Sequence, residues 1–218
     1  MPPAYNEIFL NRPLLLSLLT MLSDEIRRTK AFCGPVLLVT HGGAPLVLEG
    51  LRDARQWTRD VNIVVYGPHF SYVEAFDLLK ACITRVAQLA SQYGIGAVGA
   101  DWMNADDAAL RGRRDPYGDR LLVDHIYTAT TSPGNRAFNS LFSTAHLLLI
   151  AVPRAWALAL KIERFRKDDP ADAVVLLRKL APEGRTAADV ERELERACWA
   201  IGWGDAETEM GRQKDRLR

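Results

Sequence analysis

Gly42, Gly43, Asp60 and Asn62 have the types and the spacing for phosphate chemistry. Asp60 and Asn62 are two apart beside the apolar residues Val61, Ile63, Val64 and Val65, so on a strand they project from one face. A glycine pair opening a helix presents free backbone N–H groups to an anion, with the positive end of the helix dipole behind them. Two oxygens on one strand face can share an octahedral cation with that anion. The layout suits a nucleoside triphosphate and its magnesium. The second strand position, however, is an amide. An Asn oxygen can ligate a divalent ion but brings no charge, and two-metal sites must neutralise ions about 3.5–4 Å apart. The spacing therefore speaks for nucleotide binding and against efficient catalysis.

These residues need elements to hold them. Residues 36–40 read as a buried strand, the glycine pair as the turn after it, and the next stretch as a short helix. A polar loop then leads into a second strand from Asp60. A carboxylate this close to a buried strand is costly unless satisfied, so Asp60 reads as functional or as paired with Arg55 or Arg59. His41, beside the turn, reads as a hydrogen-bonded structural histidine.

Leu15, Leu18, Leu22 and Ile26 make one face of an earlier helix, with Pro13 in its first turn. Ser71 and Glu74 form a capping box for a long helix. Its Phe76, Leu79, Ile83, Val86 and Ala90 recur at spacings of three and four, ending near Tyr93 and Gly94. Gly94, Gly96 and Gly99 loosen the next stretch into a loop. Beyond it Trp102 and Asn104 read as wall and turn residues, the indole N–H requiring one partner. Arg111, Arg113 and Arg114 read as a solvated basic loop. Residues 121–128 read as a strand, which puts Asp124 and His125 on opposite faces; residues 146–152 read as another.

Helices are expected from Pro153 onward: one to about residue 166, one capped by Asp169 with Pro170 in its first position, and one over 186–201. The last has Val190, Leu194, Cys198 and Ile201 as its apolar face. Asp168, Asp169 and Asp172 suit a helix start better than a metal site. Lys161, between Leu160 and Ile162, reads by default as a stem along apolar surface with its amine in solvent. Residues 205–218 are charged, lack an apolar face and read as a disordered tail. An α/β first part followed by helices implies a small mixed sheet with a helical subdomain.

The bulk properties fit this. A chain of 218 residues can form one sizeable domain with a helical appendage. Hydrophobic content of 48% and charged content of 25% are ordinary for a globular protein. A net charge of +1 gives no general attraction to nucleic acid or anionic membrane. Cys33, Cys82 and Cys198 have no zinc-ligand spacing and read as buried thiols of a reducing compartment. The apolar run 13–22 is too short to span a membrane and lacks a basic flank or a small-residue cleavage site. An intracellular, cytoplasmic protein without membrane contact is expected.

The stretch carrying Gly42, Gly43, Asp60 and Asn62 resembles the nucleotidyltransferase superfamily that shares its fold with DNA polymerase beta, in particular the branch of abortive-infection toxins. Two further stretches, ADWMN at 100–104 and VPRAWALALKIERFRKDDPADAVVLLRKL at 152–180, resemble uncharacterised fungal proteins of that fold. The resemblance spans roughly residues 36–180. Together with the N-terminal helix and the charged tail read from the residues themselves, it gives an expected α/β (α+β) core over 1–152 with a small mixed sheet of the nucleotidyltransferase type, a helical subdomain over 153–204 and a tail over 205–218. It also implies transfer of a nucleoside monophosphate from an NTP to a hydroxyl of a protein, RNA or small molecule. Magnesium or manganese would be held by Asp60, Asn62 and a third carboxylate on a later strand. Asp124 matches that position best, with Asp119 behind it, and Asp124 would also deprotonate the acceptor. Gly42 and Gly43 would cradle the triphosphate, and Lys161 would face the cleft and meet its charge. With Asn62 in place of an acid, the alternative is a non-catalytic nucleotide-binding or protein-interaction module on the same fold.

Overall fold

A computed structural model describes residues 2–51, 53–64, 73–105, 122–165, 167–181 and 186–200. Strand alternation organises the core. In β2 (Val36–His41), Val36 and Leu38 face one side of the sheet, while Leu37 and Val39 face the other. In β4 (Val61–Val64), Val61 and Ile63 share the first side, and Val64, hence Asn62, takes the second. A sheet that is apolar on both sides must be covered on both.

The first cover is α1 (Arg12–Thr29) and α3 (Val73–Gln92). Leu15, Leu18, Leu19, Leu22 and Ile26 of α1 join Leu79, Ile83, Val86 and Ala90 of α3, along with Trp102, in one cluster. A fully buried leucine is worth roughly 1.5–3 kcal/mol of transfer free energy, so this face alone anchors α1. The Asn11 side chain caps the helix by accepting from Leu14 N at 3.0 Å, and Pro13 lies in the first turn. The Trp102 indole N–H donates to Ile83 O at 3.2 Å, the partner its burial demands.

The second cover is α6 (Arg154–Arg164), α7 (Asp169–Leu180) and α8 (Ala187–Ala200). Leu158, Ile162, Leu176, Leu194 and Cys198 from these helices share a cluster with Val39, Leu46 and Val64. The C-terminal helices therefore pack onto the sheet as its second layer. The cap of α7 is Asp168, one residue before the expected Asp169.

The main sheet has the order β5-β4-β2-β7-β6, with β5 (Met103–Asn104), β6 (Ser140–Ser143) and β7 (Leu147–Ala151). β2 runs antiparallel to β4 and parallel to β7, β4 parallel to β5, and β6 antiparallel to β7 with a register shift between Ser140 and Phe142. A second sheet pairs β1 (Leu10–Asn11) with β3 (Trp57–Thr58), both shorter than sequence periodicity can reveal. On it Phe9 packs against Trp57 with centroids 4.2 Å apart, and Arg59 stands 5.7 Å from the Phe9 ring centre. The fold is thus mixed α/β.

Residues 121–128 do not form a strand. They lie mostly within helix α4 (Leu122–Thr131), followed by α5 (Pro133–Asn139), capped by Ser132. Val, Ile and Thr in LVDHIYTATT favour strands, but Ile126 and Thr130, four apart, are the buried pair, so packing of one helical face prevails over propensity. Ser71, Arg111, Arg113, Arg114, Asp119 and 205–218 lie outside the described residues. Among the described residues no helix is long and apolar enough to cross a membrane.

Gly99 has a role the sequence did not suggest. A Cβ there would lie 2.2 Å from Asn6 N and 2.3 Å from Tyr5 C. The N-terminal segment passes directly over it, and buried Asn6 accepts from Gly99 N at 3.1 Å. The Asn6 amide also donates to Ile8 O at 3.0 Å and to Arg59 O. The residue before Asp60 is therefore tied to the loop before β5.

Candidate functional site

The glycine turn and Asn62 meet because β2 and β4 are antiparallel neighbours, with His41 opposite Asn62. Gly42 has φ 82°, and a Cβ on it would lie 3.0 Å from Asn62 Nδ2. The left-handed conformation favours glycine, and an added Cβ would press on the Asn62 amide. Gly43 caps the helix α2 (Ala44–Glu49). A Cβ on Gly43 would lie 2.6 Å from Arg55 Nη1 and 3.0 Å from Thr58 Oγ1. With six residues, α2 is under two turns long, so its dipole is weaker than the sequence reading assumed. It is held by Arg12 Nε, which donates to Leu48 O at 2.9 Å, and by a Lys179–Glu49 ion pair from α7.

Asp60 precedes β4 and is half-buried. Its Oδ1 accepts from Asn62 Nδ2 at 3.2 Å, and its Oδ2 from Asn104 Nδ2 at 3.5 Å, the limit of such a contact. Asn104 reaches it because β5 lies parallel to β4 with Asn104 opposite Asn62. Only the nitrogen of a carboxamide donates, so both amides stand nitrogen-first toward the carboxylate, and Asn104 Nδ2 also donates to Asp101 O at 3.3 Å. Asn62 is further fixed through its carbonyl, which accepts from Thr40 Oγ1 at 2.8 Å. The Asp60 carbonyl accepts from Thr58 Oγ1 at 3.1 Å.

Asp124 does not occupy the expected later strand. It belongs to helix α4, and the strand beside β4 is β5, which presents Asn104. The periodicity of 121–128 misled because a short apolar run fits strand and helix alike. Asn104 was readable only as a turn residue, since nothing local announces that a two-residue strand pairs with β4.

Lys161 is only 1% exposed, so its amine neither reaches solvent nor faces an open cleft. Its Nζ lies 2.5 Å from Asp172 Oδ2 and 3.2 Å from Asp169 Oδ1, and both carboxylates are as buried as the amine. Asp172 also takes a two-pronged contact from Arg55, Nε to Oδ1 at 3.0 Å and Nη2 to Oδ2 at 2.7 Å. Exposed Asp168 stands 3.6 Å from the same Nη2. Asp169 and Asp172 do lie in the first turn of α7, as the sequence suggested. Burial adds a requirement for opposite charge, which Lys161 and Arg55 meet. The sequence offered Arg55 as a partner for Asp60; it pairs instead with Asp172, 117 residues away.

The donor set bears on the expected magnesium. Two carboxamides that turn their nitrogens to Asp60 do not offer their oxygens to a cation on that carboxylate, and one carboxylate neutralises little of two divalent charges. Among the described residues no group of three or more His, Cys, Asp and Glu side chains is arranged to hold a metal ion. The residues around Asp60 do not fit the metal pair implied by the resemblance. Comparison of the chain with protein-family models, with curated proteins and with solved structures finds no match in any of the three.

Proposed function

We propose that this chain binds a nucleotide on a nucleotidyltransferase-type core without transferring it. The observation that carries the reading is the trio Asp60, Asn62 and Asn104, one carboxylate held between two amides on adjacent parallel strands. Nucleotidyl transfer depends on aligning the reactants and neutralising charge on the phosphates. A trio with a single negative charge lacks what two metals need. Binding asks for less. The Gly42 and Gly43 turn supplies close backbone approach beside Asp60, and Arg55 supplies positive charge against Gly43. Lys161, expected to meet the triphosphate, serves in this reading to fix the buried carboxylates behind Arg55.

The test has two parts. The full chain is incubated with α-labelled NTPs, magnesium and protein or RNA acceptors, and no labelled product is expected. In parallel, thermal unfolding is followed as each NTP is added. A ligand at about 100 times its dissociation constant stabilises by about 2.7 kcal/mol, a rise on the order of 5–10 °C for a chain of this size. Labelled product that disappears in Asp60→Ala would restore the transferase reading. No rise with any nucleotide, in a cooperatively folding sample, would leave a protein-interaction module.

A further inference from the structure

We infer that the open edge of the main sheet at β6 takes an extended peptide segment of a partner protein. The segment pairs with β6 as a further strand and sets an acidic side chain against Arg136. This edge lies at the far end of the sheet from β4 and β5, so it is independent of what happens at Asp60.

The edge itself comes first. Among the described residues β6 pairs with β7 alone. Leu141, Phe142 and Ser143 make no backbone bond outside that pairing. An edge strand turns alternate N–H and C=O groups away from its neighbour, where another chain can pair with them. Sheet edges are commonly blunted by lysine, proline or an inward charge, and the sequence SLFS contains none of these. At the opposite edge β5 has only two residues and offers little to pair with.

The register shift between Ser140 and Phe142 decides which side chains this edge presents. With one extra residue in β6, Leu141 and Phe142 both pack against the core under the first layer, as a bulge permits. Ser140 and Ser143 stand opposite Ile150 and Leu148 and share their face of the sheet. There the two serines and Leu148 form the floor of an open cleft of about 510 Å³, with Thr131, Arg136 and Ala137 in its wall. A strand laid beside β6 directs every second side chain to this face. Those side chains enter the cleft.

Charge then selects the occupant. Arg136 is the charged residue of the cleft, and its guanidinium has no ion-pair partner among the described residues. A carboxylate on the incoming strand supplies one, in the paired geometry that arginine favours. Nucleic acid would need several cations to match its phosphates, and the cleft has one. A bulged edge of four residues bends away from the straight mutual pairing that two copies of this chain would need. A short segment of another protein follows such an edge more easily. Phe138, beside Ala137 on α5, is 82% exposed and offers it an aromatic contact of the kind enriched at interfaces.

The experiment selects a random peptide library, displayed on phage, against the full chain, and measures the enriched sequences as free peptides by calorimetry. Enriched peptides are expected to share one acidic position within an extended, alternating pattern. Changing that acid to its amide should weaken binding about 10- to 100-fold, the range for losing a charged hydrogen bond. Arg136→Gln should cause the same loss, and the two changes together no more than either alone. Arg136 is exposed, so the variant keeps its fold, which a cooperative urea transition checks. Methylating the peptide's backbone nitrogens one at a time should abolish binding at alternate positions only, as strand pairing requires. A library that yields no binder overturns the inference, as do peptides that bind Arg136→Gln as tightly as the natural chain. Tolerance of methylation at every position also overturns it, because the peptide then occupies the cleft without pairing. A free chain that sediments as a dimer and is split by the peptides assigns the edge to a second copy, and the inference falls.

Discussion

Replacing Lys161 with methionine tests the most heavily buried charges among the described residues. The side chains are similar in length, so packing around the stem is largely kept and the change is mainly in charge. In the natural chain Lys161 is 1% exposed, with Asp172 at 2.5 Å and Asp169 at 3.2 Å. Removing it leaves Asp172 with Arg55 and takes from Asp169 its buried counter-ion. At an effective dielectric of 20, a pair about 3 Å apart attracts by about 5 kcal/mol before desolvation is counted. Breaking one partner of a buried pair typically costs about 3–5 kcal/mol net. We therefore expect Lys161→Met to lose about 3–5 kcal/mol in urea titration at neutral pH, a large share of a typical stability. Adding Asp169→Asn removes the negative charge that Lys161 had balanced, so Lys161→Met/Asp169→Asn should recover at least half of the loss. The coupling is read from a double-mutant cycle. A loss under about 1 kcal/mol for the single variant, with an unchanged urea slope, would refute the argument. So would a double variant whose losses simply add.

Gly99→Ala should destabilise by about 1–3 kcal/mol, as overpacking does, because its Cβ would meet the backbone of Asn6 and Tyr5. Gly134→Ala, within α5 and with nothing inside 4 Å of the added carbon, should instead stabilise by about 0.5–1 kcal/mol in the same urea assay. Of the three cysteines, all expected to be buried, Cys33 is instead exposed, so at neutral pH one thiol should react promptly with a disulfide reagent, and Cys82 and Cys198 only on unfolding. Burial, then the nearby Glu25 charge, pushes the Cys82 thiol from 9.0 up to about 11. The folded chain keeps a proton that the unfolded chain loses, so this contribution to stability is complete below pH 9 and lost as pH rises through about 11. Cys82→Ala should flatten that alkaline slope in denaturation measured across the range. Asn62→Asp/Asn104→Asp places two more carboxylates beside Asp60, and like charges about 4 Å apart cost about 1–4 kcal/mol at surface dielectrics. The variant should be destabilised in EDTA and restored by magnesium in thermal unfolding, and indifference to magnesium would show that the three side chains do not converge on one ion.

The elements whose logic is local were legible in the sequence. The α1 face of Leu15, Leu18, Leu22 and Ile26, the α3 face, the strands β2, β4 and β7, and the C-terminal helices all follow from the spacing of apolar residues. So does the glycine turn ahead of Asp60 and Asn62, because φ 82° at Gly42 is a local demand. Asp60 and Asn62, expected on one strand face, do meet through Asn62 Nδ2 and Asp60 Oδ1, although Asp60 stands one residue before β4. The tertiary structure decided everything that depends on pairing across distance. It placed Asn104 of β5 beside Asn62, where a carboxylate on another strand was expected, and moved Asp124 onto a helix. It buried Lys161 between Asp169 and Asp172, and brought Arg55 across 117 positions to complete the set. Periodicity records which side of an element is apolar. Which charge meets which is set by how the two layers close over the sheet, and no short stretch of sequence contains that.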